Sequence, residues 1–338
     1  MQAPESSASR HPAPPVVWSD INLVEPARAC LSAAGVHLIV STGGCLDGLE
    51  QADGVIAGSL LWGDASFFHR HPRMQVFARS GIGYDRVDLD AATAAGVCVV
   101  NTPEAPTEST AEFAITLMLA LARRLPLPAR ALAAGTWTEG PAVIGSDLAG
   151  KILGLVGCGR IGRRVAEIAR ALRMEVWVYD PFAAALPPDT SRVPTLKELL
   201  AGADVISLHL PLSSATRGLI GATELALCKP TALLINTARG PLVAEAALAD
   251  ALQQGRLKGA ALDVWDPEPP APESNLCHLP MVIATPHMAA ATEEGRRRSH
   301  TTAAEQVLDV LRGERPPSLL NPSVWAVRRP SSQSGKVC

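Results

Sequence analysis

Ile152-Leu153-Gly154-Leu155-Val156-Gly157-Cys158-Gly159-Arg160-Ile161-Gly162 is the stretch on which the fold turns. An apolar run of strand type ends in glycines spaced GxGxxG, and a helical stretch, Arg163 to Leu172, follows at once. Each glycine has its own task. The first permits a tight turn, the second lets backbone approach a pyrophosphate, and the third lets the helix close on the strand, while helix N-terminal amides face the phosphate charge. Asp180 ends the next strand, about 20 residues on, where a carboxylate can accept hydrogen bonds from the diol of an adenosine ribose. That carboxylate repels a 2′-phosphate and no arginine follows directly, so NAD is favoured and NADP is less suited. The bland alternative is that Asp180 only opens the turn Asp180-Pro181. A glycine-rich turn would also serve an S-adenosyl methyltransferase, whereas a kinase-type phosphate loop is disfavoured because no Lys-Ser or Lys-Thr closes the glycines.

Around this motif, short β-branched runs alternate with Ala/Leu-rich amphipathic stretches, the pattern of parallel strands joined by crossover helices. Six candidate strands follow Lys151: 152–156, 175–179, 205–208, 232–236, 259–263 and 282–284. Six strands separated by helices make a complete doubly wound sheet. Upstream, 36–41, 54–57, 74–78 and 97–100 read as four strands of another α/β unit, with Gly81 and Gly83 in a tight loop after the third. A long helix is expected from Thr107 to Arg124, its positions Phe113, Ile115, Leu117, Leu119 and Leu121 dense enough for burial on most sides. A last helix, Thr292 to Arg312, is not needed by the second sheet and can return to the first unit. The expected architecture is α/β, two Rossmann-like doubly wound parallel-sheet domains with the nucleotide-binding domain inserted in the substrate domain. Its boundaries are 17–103 with 292–325 for the substrate-binding domain and 104–291 for the NAD-binding domain, with loose tails at 1–16 and 326–338.

A length of 338 residues agrees, since roughly 100 to 200 residues make a domain. Thirty basic residues against 33 acidic give a formal charge of -3, so there is no electrostatic reason to expect nucleic acid or an anionic membrane as partner. Aromatic residues are only 4%, and the six tryptophans are too scattered for a base-stacking platform. Arg296-Arg297-Arg298 reads as a solvated face. The seven cysteines, Cys30, Cys45, Cys98, Cys158, Cys228, Cys277 and Cys338, lack CxxC or other metal-ligand spacing, so no metal is expected and a reducing compartment fits. The chain starts without a basic then apolar segment, and Phe113 to Ala122 is half a membrane span, which together place it in the cytoplasm.

Three polar residues stand just beyond predicted strands, on the side where doubly wound sheets bind ligands. Arg239 offers a fork that can grip a carboxylate in two parallel hydrogen bonds. His287 carries the side chain best suited to move a proton near neutral pH, and Glu268 could stabilise its imidazolium. Singly, each reads more simply as a surface charge, a core histidine and a solvated loop residue. Beside a nicotinamide site they make one chemistry, hydride transfer between the cofactor and C2 of a 2-oxo or 2-hydroxy acid.

These residues, with Arg79-Ser80-Gly81-Ile82-Gly83-Tyr84-Asp85, Asn101-Thr102-Pro103, Ser109-Thr110-Ala111-Glu112, His209-Leu210-Pro211-Leu212, Asn236 to Gly240, Ala261 to Trp265 and Thr285-Pro286-His287, resemble the D-isomer-specific 2-hydroxyacid dehydrogenase family, most closely its phosphoglycerate dehydrogenase-like branch. The resemblance runs from about Gly54 to Pro322. It implies Arg239, Glu268 and His287 as the catalytic set, with His287 as acid/base, and D stereochemistry. It further implies that the backbone of Ser80, Gly81 and Ile82 meets the substrate carboxylate together with Arg239. Around the cofactor it implies Thr110, Gly157, Gly159, Arg160, Ile161, Gly162, Asp180, Leu210, Thr237, Arg239 and His287, with Asp263 as partner of the nicotinamide carboxamide. A homodimer paired through the nucleotide-binding domain is implied as well.

Two departures narrow this. Where phosphoglycerate dehydrogenases tend to carry an arginine, the chain has Ala57-Gly58-Ser59, and no regulatory domain of serine biosynthesis follows, so a phosphate-bearing substrate is not expected. Formate dehydrogenases carry glutamine where Glu268 stands. The far wall of the substrate pocket is expected from Ser59 to Trp62 and from residues near Trp265 and Met288. An NAD(H)-sensing binding protein of the corepressor type, on the same fold, is the competing expectation.

Overall fold

The structure, a computed structural model, describes residues 13–58 and 61–330. They fall into two compact units, one ending at Pro106 and resuming at Glu293, the other Thr107–Thr292. Ser59 and Leu60 of the expected pocket wall, and most of both expected tails, lie outside the described residues.

The first unit holds, among the described residues, β1 (Val16–Ser19), β2 (His37–Val40), β3 (Gly54–Ala57), β4 (Val76–Arg79) and β5 (Cys98–Val100), all parallel, in the order β2-β1-β3-β4-β5. β1 corrects the sequence reading, which began the domain at residue 17 and gave it no strand there. Val16 belongs to the strand, and its N–H donates to Asp53 Oδ2 at 2.9 Å. Alternate residues serve opposite faces, as the twofold repeat of a strand requires. Val17, Ile56, Val76 and Val100 pack under the helix Glu293–Leu311, while Trp18, Val55, Phe77 and Val99 pack with Phe67 and Phe68 on the other side. Of the expected tail 326–338, the described residues 326–330 are held rather than loose. The Arg329 guanidinium donates to the carbonyls of His71 and Met74 at 2.8 and 2.7 Å and tethers the segment.

The second unit holds β6 (Ile152–Val156), β7 (Glu175–Tyr179), β8 (Ser191–Arg192), β9 (Val205–Leu208), β10 (Leu233–Asn236), β11 (Gly259–Leu262) and β12 (Val282–Ala284), in the order β12-β11-β10-β9-β6-β7-β8. The strand order reverses between β6 and β9, the switch point at which open α/β sheets bind ligands. Helix Arg160–Ala171 buries Gly162, Val165, Ala166 and Ala169, one face of a 3.6-residue repeat. Helix Thr107–Ala122 packs through Ala111, Ala114, Ile115, Met118 and Leu121, burial on most sides as expected, and leaves Leu119 39% exposed.

Each unit contains one histidine kept neutral by its surroundings. Desolvation pushes His209 down to about 4 where its Nε2 meets Ser207 Oγ at 2.8 Å. Desolvation, aided by Arg296, does the same to His300, also to about 4, and its Nδ1 accepts from the Val24 N–H at 3.1 Å. Folded rings that resist protonation, against unfolded rings that accept it near 6.5, make stability complete above that pH and falling from there toward pH 4. By pH 5 the loss is about 2 kcal/mol per histidine. Denaturant melts at pH 7 and pH 5 measure it, and His300→Asn, whose amide oxygen can take the Val24 N–H, is expected to shrink the difference. An unaltered pH response in that variant would refute the attribution.

Candidate active site

Strand register builds the site of the second unit. Val156 pairs with Leu208, Leu208 with Asn236, Asn236 with Leu262 and Leu262 with Ala284. The next residues, Gly157, His209, Thr237, Asp263 and Thr285, therefore stand in one row along the carboxyl edge.

At the switch point, Gly157 has φ 91°, the left-handed region that glycine alone enters freely. A Cβ there would lie 2.4 Å from His209 O, and one at Gly162 would lie 2.6 Å from Gly157 O. Gly159 differs: a Cβ on it would meet nothing within 4 Å, so the space above it is open. Asp180 Oδ2 accepts from Cys158 N–H at 2.8 Å, and Oδ1 accepts from Phe182 and Ala183 N–H at 2.9 and 3.0 Å. The carboxylate thus opens the turn and also holds the glycine loop. Leu210 and Ile161 are half-buried beside the loop, Arg160 is exposed, and Thr110 is buried on the helix Thr107–Ala122. Thr237 Oγ1 is buried with no hydrogen-bond partner among the described residues, a cost of roughly 1–3 kcal/mol that a ligand's polar group would relieve. Open space over Gly159, helix amides behind it and an orphaned hydroxyl at the end of β10 fit a dinucleotide.

Farther along the edge, His287 Nδ1 lies 2.9 Å from Glu268 Oε2, and Glu268 Oε1 accepts from the Trp265 N–H at 3.1 Å. His287 has φ 52°, which costs an L residue roughly 1–2 kcal/mol, so its turn must be held from outside. Asp263 does this. It has no exposed surface, and it accepts from Thr285 Oγ1 at 2.6 Å, Met288 N–H at 2.9 Å and Ala289 N–H at 2.8 Å, while its carbonyl takes the His287 N–H. Arg239 is brought to the same end by a backbone approach: a Cβ on Gly240 would lie 2.1 Å from the Trp265 carbonyl. Asn236 caps that turn, accepting from Ala238 N–H and donating to Arg239 O. Neither the bracing by Asp263 nor that by Trp265, whose Nε1 donates to Thr285 O, carries a sequence signal beyond the residue type.

In the first unit the loop after β4 is tied through several of its backbone groups. Ser80 N–H donates to Ala57 O and Gly81 N–H to Arg79 O. Gly81 O accepts from Thr102 N–H, Ile82 O from Asn101 Nδ2 and Gly83 O from Arg79 Nε. Among the described residues, the N–H groups of Ile82 and Gly83 have no acceptor.

A family model described as D-isomer specific 2-hydroxyacid dehydrogenase, NAD binding domain, matches residues 115–289. The chain belongs to that family. A glyoxylate reductase of Aeropyrum pernix is 39% identical over 276 residues, covering 79% of this chain and 82% of the relative. A D-3-phosphoglycerate dehydrogenase of Methanocaldococcus jannaschii is 39% identical over 282 residues, 82% of this chain, and the chain spans about half the length of that relative, 53%. A crystal structure of a Thermus thermophilus protein superposes with TM-score 0.85 at 38% identity, covering 90% of this chain and 99% of that one. Within this member of the family, the second unit is thus an NAD-binding domain with the Rossmann strand order. Among the described residues there is no group of three or more His, Cys, Asp or Glu that could hold a metal ion, and no helix long and apolar enough to cross a membrane.

Proposed function

We propose that this chain is an NAD-dependent, D-specific reductase of small 2-oxo acids, interconverting them with 2-hydroxy acids. The observation that carries this is the His287–Glu268 pair, 2.9 Å apart on a turn held from outside, on the same sheet edge as the dinucleotide loop. Bound NADH would supply the hydride for C2, and the residues named here would do the rest. Glu268 Oε2, 2.9 Å from Nδ1 of His287, orients the ring and leaves Nε2 to give a proton to the carbonyl oxygen. Arg239 grips the carboxylate and carbonyl, and from the first unit the Ser80–Ile82 loop meets the carboxylate. Because Ser80 and Gly81 have spent their N–H groups, we assign that contact to Ile82 and its neighbour Gly83. In this reading residues 17–103 with 292–325 bind substrate and 104–291 bind NAD, Asp180 takes the ribose diol, and Thr110, Arg160, Ile161, Leu210 and Thr237 border the cofactor. Asp263 acts on the cofactor only by shaping the turn that carries His287.

The relatives named above are called glyoxylate reductase and D-3-phosphoglycerate dehydrogenase. The first unit supports the smaller, unphosphorylated substrate. Gly58 donates its N–H to Asp20 Oδ1 at 2.6 Å, and a side chain there would strike Ile21, a Cβ lying 2.6 Å from Cγ2. Burial raises the Asp20 carboxyl, while the Gly58 N–H and Arg79 draw it back toward ionisation. A carboxyl group in that place offers no grip for a phosphate. NADH and NADPH oxidation across glyoxylate, hydroxypyruvate, phosphohydroxypyruvate, pyruvate and larger 2-oxo acids is the test. Turnover is expected with NADH and an acid lacking phosphate; tight NADH binding without turnover of any acid would instead make the chain an NAD(H) sensor.

We further propose a homodimer in the cytoplasm. Leu119, Leu125, Leu132, Trp137 and Ile144 are 39%, 57%, 60%, 75% and 66% exposed within one stretch, and helix Pro126–Ala133 buries none of its residues. Such a run is an interaction surface, and light scattering reads the state directly.

A further inference from the structure

We propose that Ser299 is a positioning residue for the carboxylate-binding loop of the first unit, an inference that rests on the function proposed above. Ser299 lies on the helix Glu293–Leu311, 7% exposed and 219 residues from Ser80 in the chain. Its hydroxyl stands 2.9 Å from Ser80 Oγ and 2.9 Å from Thr102 Oγ1. A serine hydroxyl has one proton to give and lone pairs to receive, so one group serves both contacts, donating in at most one of them.

The two neighbours are not arbitrary. Thr102 N–H donates to Gly81 O at 3.0 Å, and Asn101 Nδ2 donates to Ile82 O at 2.8 Å. Gln306, two turns along the same helix, donates from Nε2 to Asn101 O at 2.8 Å. The loop is therefore tied to residues 101 and 102, and these are tied to one helix at two points. Ser299 also touches the loop directly, through Ser80. With the carbonyls of residues 81 to 83 held, the remaining donors, Ile82 and Gly83 N–H, keep a fixed spacing for the two oxygens of a carboxylate. Thr102 is 1% exposed, so water has no ready access to replace the lost hydroxyl.

The carboxylate does not change during hydride transfer, and a loosened grip on it weakens ground state and transition state alike. Such a loss appears in KM rather than kcat. Ser299→Ala in the full chain is expected to raise KM for the 2-oxo acid about tenfold, the worth of one net hydrogen bond, with kcat changed less than about twofold and KM for NADH unmoved. Thr102→Val removes the other side of the contact and is expected to give the same split. Ser299→Thr, which retains the hydroxyl, is expected to restore KM. An unchanged KM in Ser299→Ala would overturn the proposal, and so would a rise in both KM values with a lowered melting temperature, which is the mark of a packing role. If the wild type turns over no 2-oxo acid, the functional reading fails first. Calorimetry of oxamate with the NADH-saturated protein then reads the loop without turnover: weaker oxamate binding in Ser299→Ala upholds the positioning role, and equal binding removes it.

Discussion

His287→Ala is expected to lower kcat/KM for 2-oxo acid reduction by roughly 10²–10⁴, the usual contribution of a positioned acid/base group, with NADH affinity nearly unchanged. The geometry gives the reason for both halves. The imidazole is the proton-bearing group paired with a carboxylate on this edge, its Nδ1 at 2.9 Å from Glu268 Oε2, and its turn is held by backbone contacts to Asp263 that alanine would keep. At φ 52° histidine is favoured over alanine several-fold, a difference of about 1 kcal/mol, which is small beside the expected loss of rate. His287→Asn, which is more at ease in that backbone region, keeps the turn while removing the acid/base group. Stopped-flow single turnovers with NADH separate chemistry from binding. Undiminished hydride transfer in either variant would remove His287 from its assigned role.

The site was legible where local sequence and chemistry coincide. GxGxxG directly after an apolar strand gave the switch point, and Arg239, Glu268 and His287 each follow a strand end that register then aligns. What escaped was set by distant parts of the chain. β1 is four residues long and directly follows Pro14 and Pro15, so its apolar content merged with the preceding Pro- and Ala-rich segment. β8 is two exposed residues at a sheet edge, paired through backbone alone, with no apolar alternation to mark it. Arg329 reads as a surface charge until the carbonyls of His71 and Met74 are found beside it. The resemblance gives Asp263 to the nicotinamide carboxamide, yet its carboxylate is enclosed by the turn it braces. Contacts such as these depend on which segments meet in space, and residue type alone does not reveal that.

The three glycines of the dinucleotide loop are identical in sequence and unequal in structure, and this inequality separates binding from folding. Gly162→Ala would place a methyl 2.6 Å from Gly157 O and 3.4 Å from His209 Cβ. Backbone on one side and a strand end on the other leave little room to yield, so overpacking is expected to cost about 1–3 kcal/mol of stability and to distort the loop that receives the phosphates. Gly159→Ala puts the methyl into open space, at φ −72°, a value any residue adopts. Its melting temperature without cofactor is expected to match the wild type. The methyl would nevertheless occupy the position where backbone must approach a pyrophosphate, so NADH affinity is expected to fall at least tenfold, comparable with the Gly162→Ala loss. Thermal melts without NADH, paired with fluorescence titration of NADH, make the comparison. Equal melting and equal affinity for Gly159→Ala and wild type would mean that no pyrophosphate rests on Gly159, and the assignment of this loop to the cofactor would fall with it.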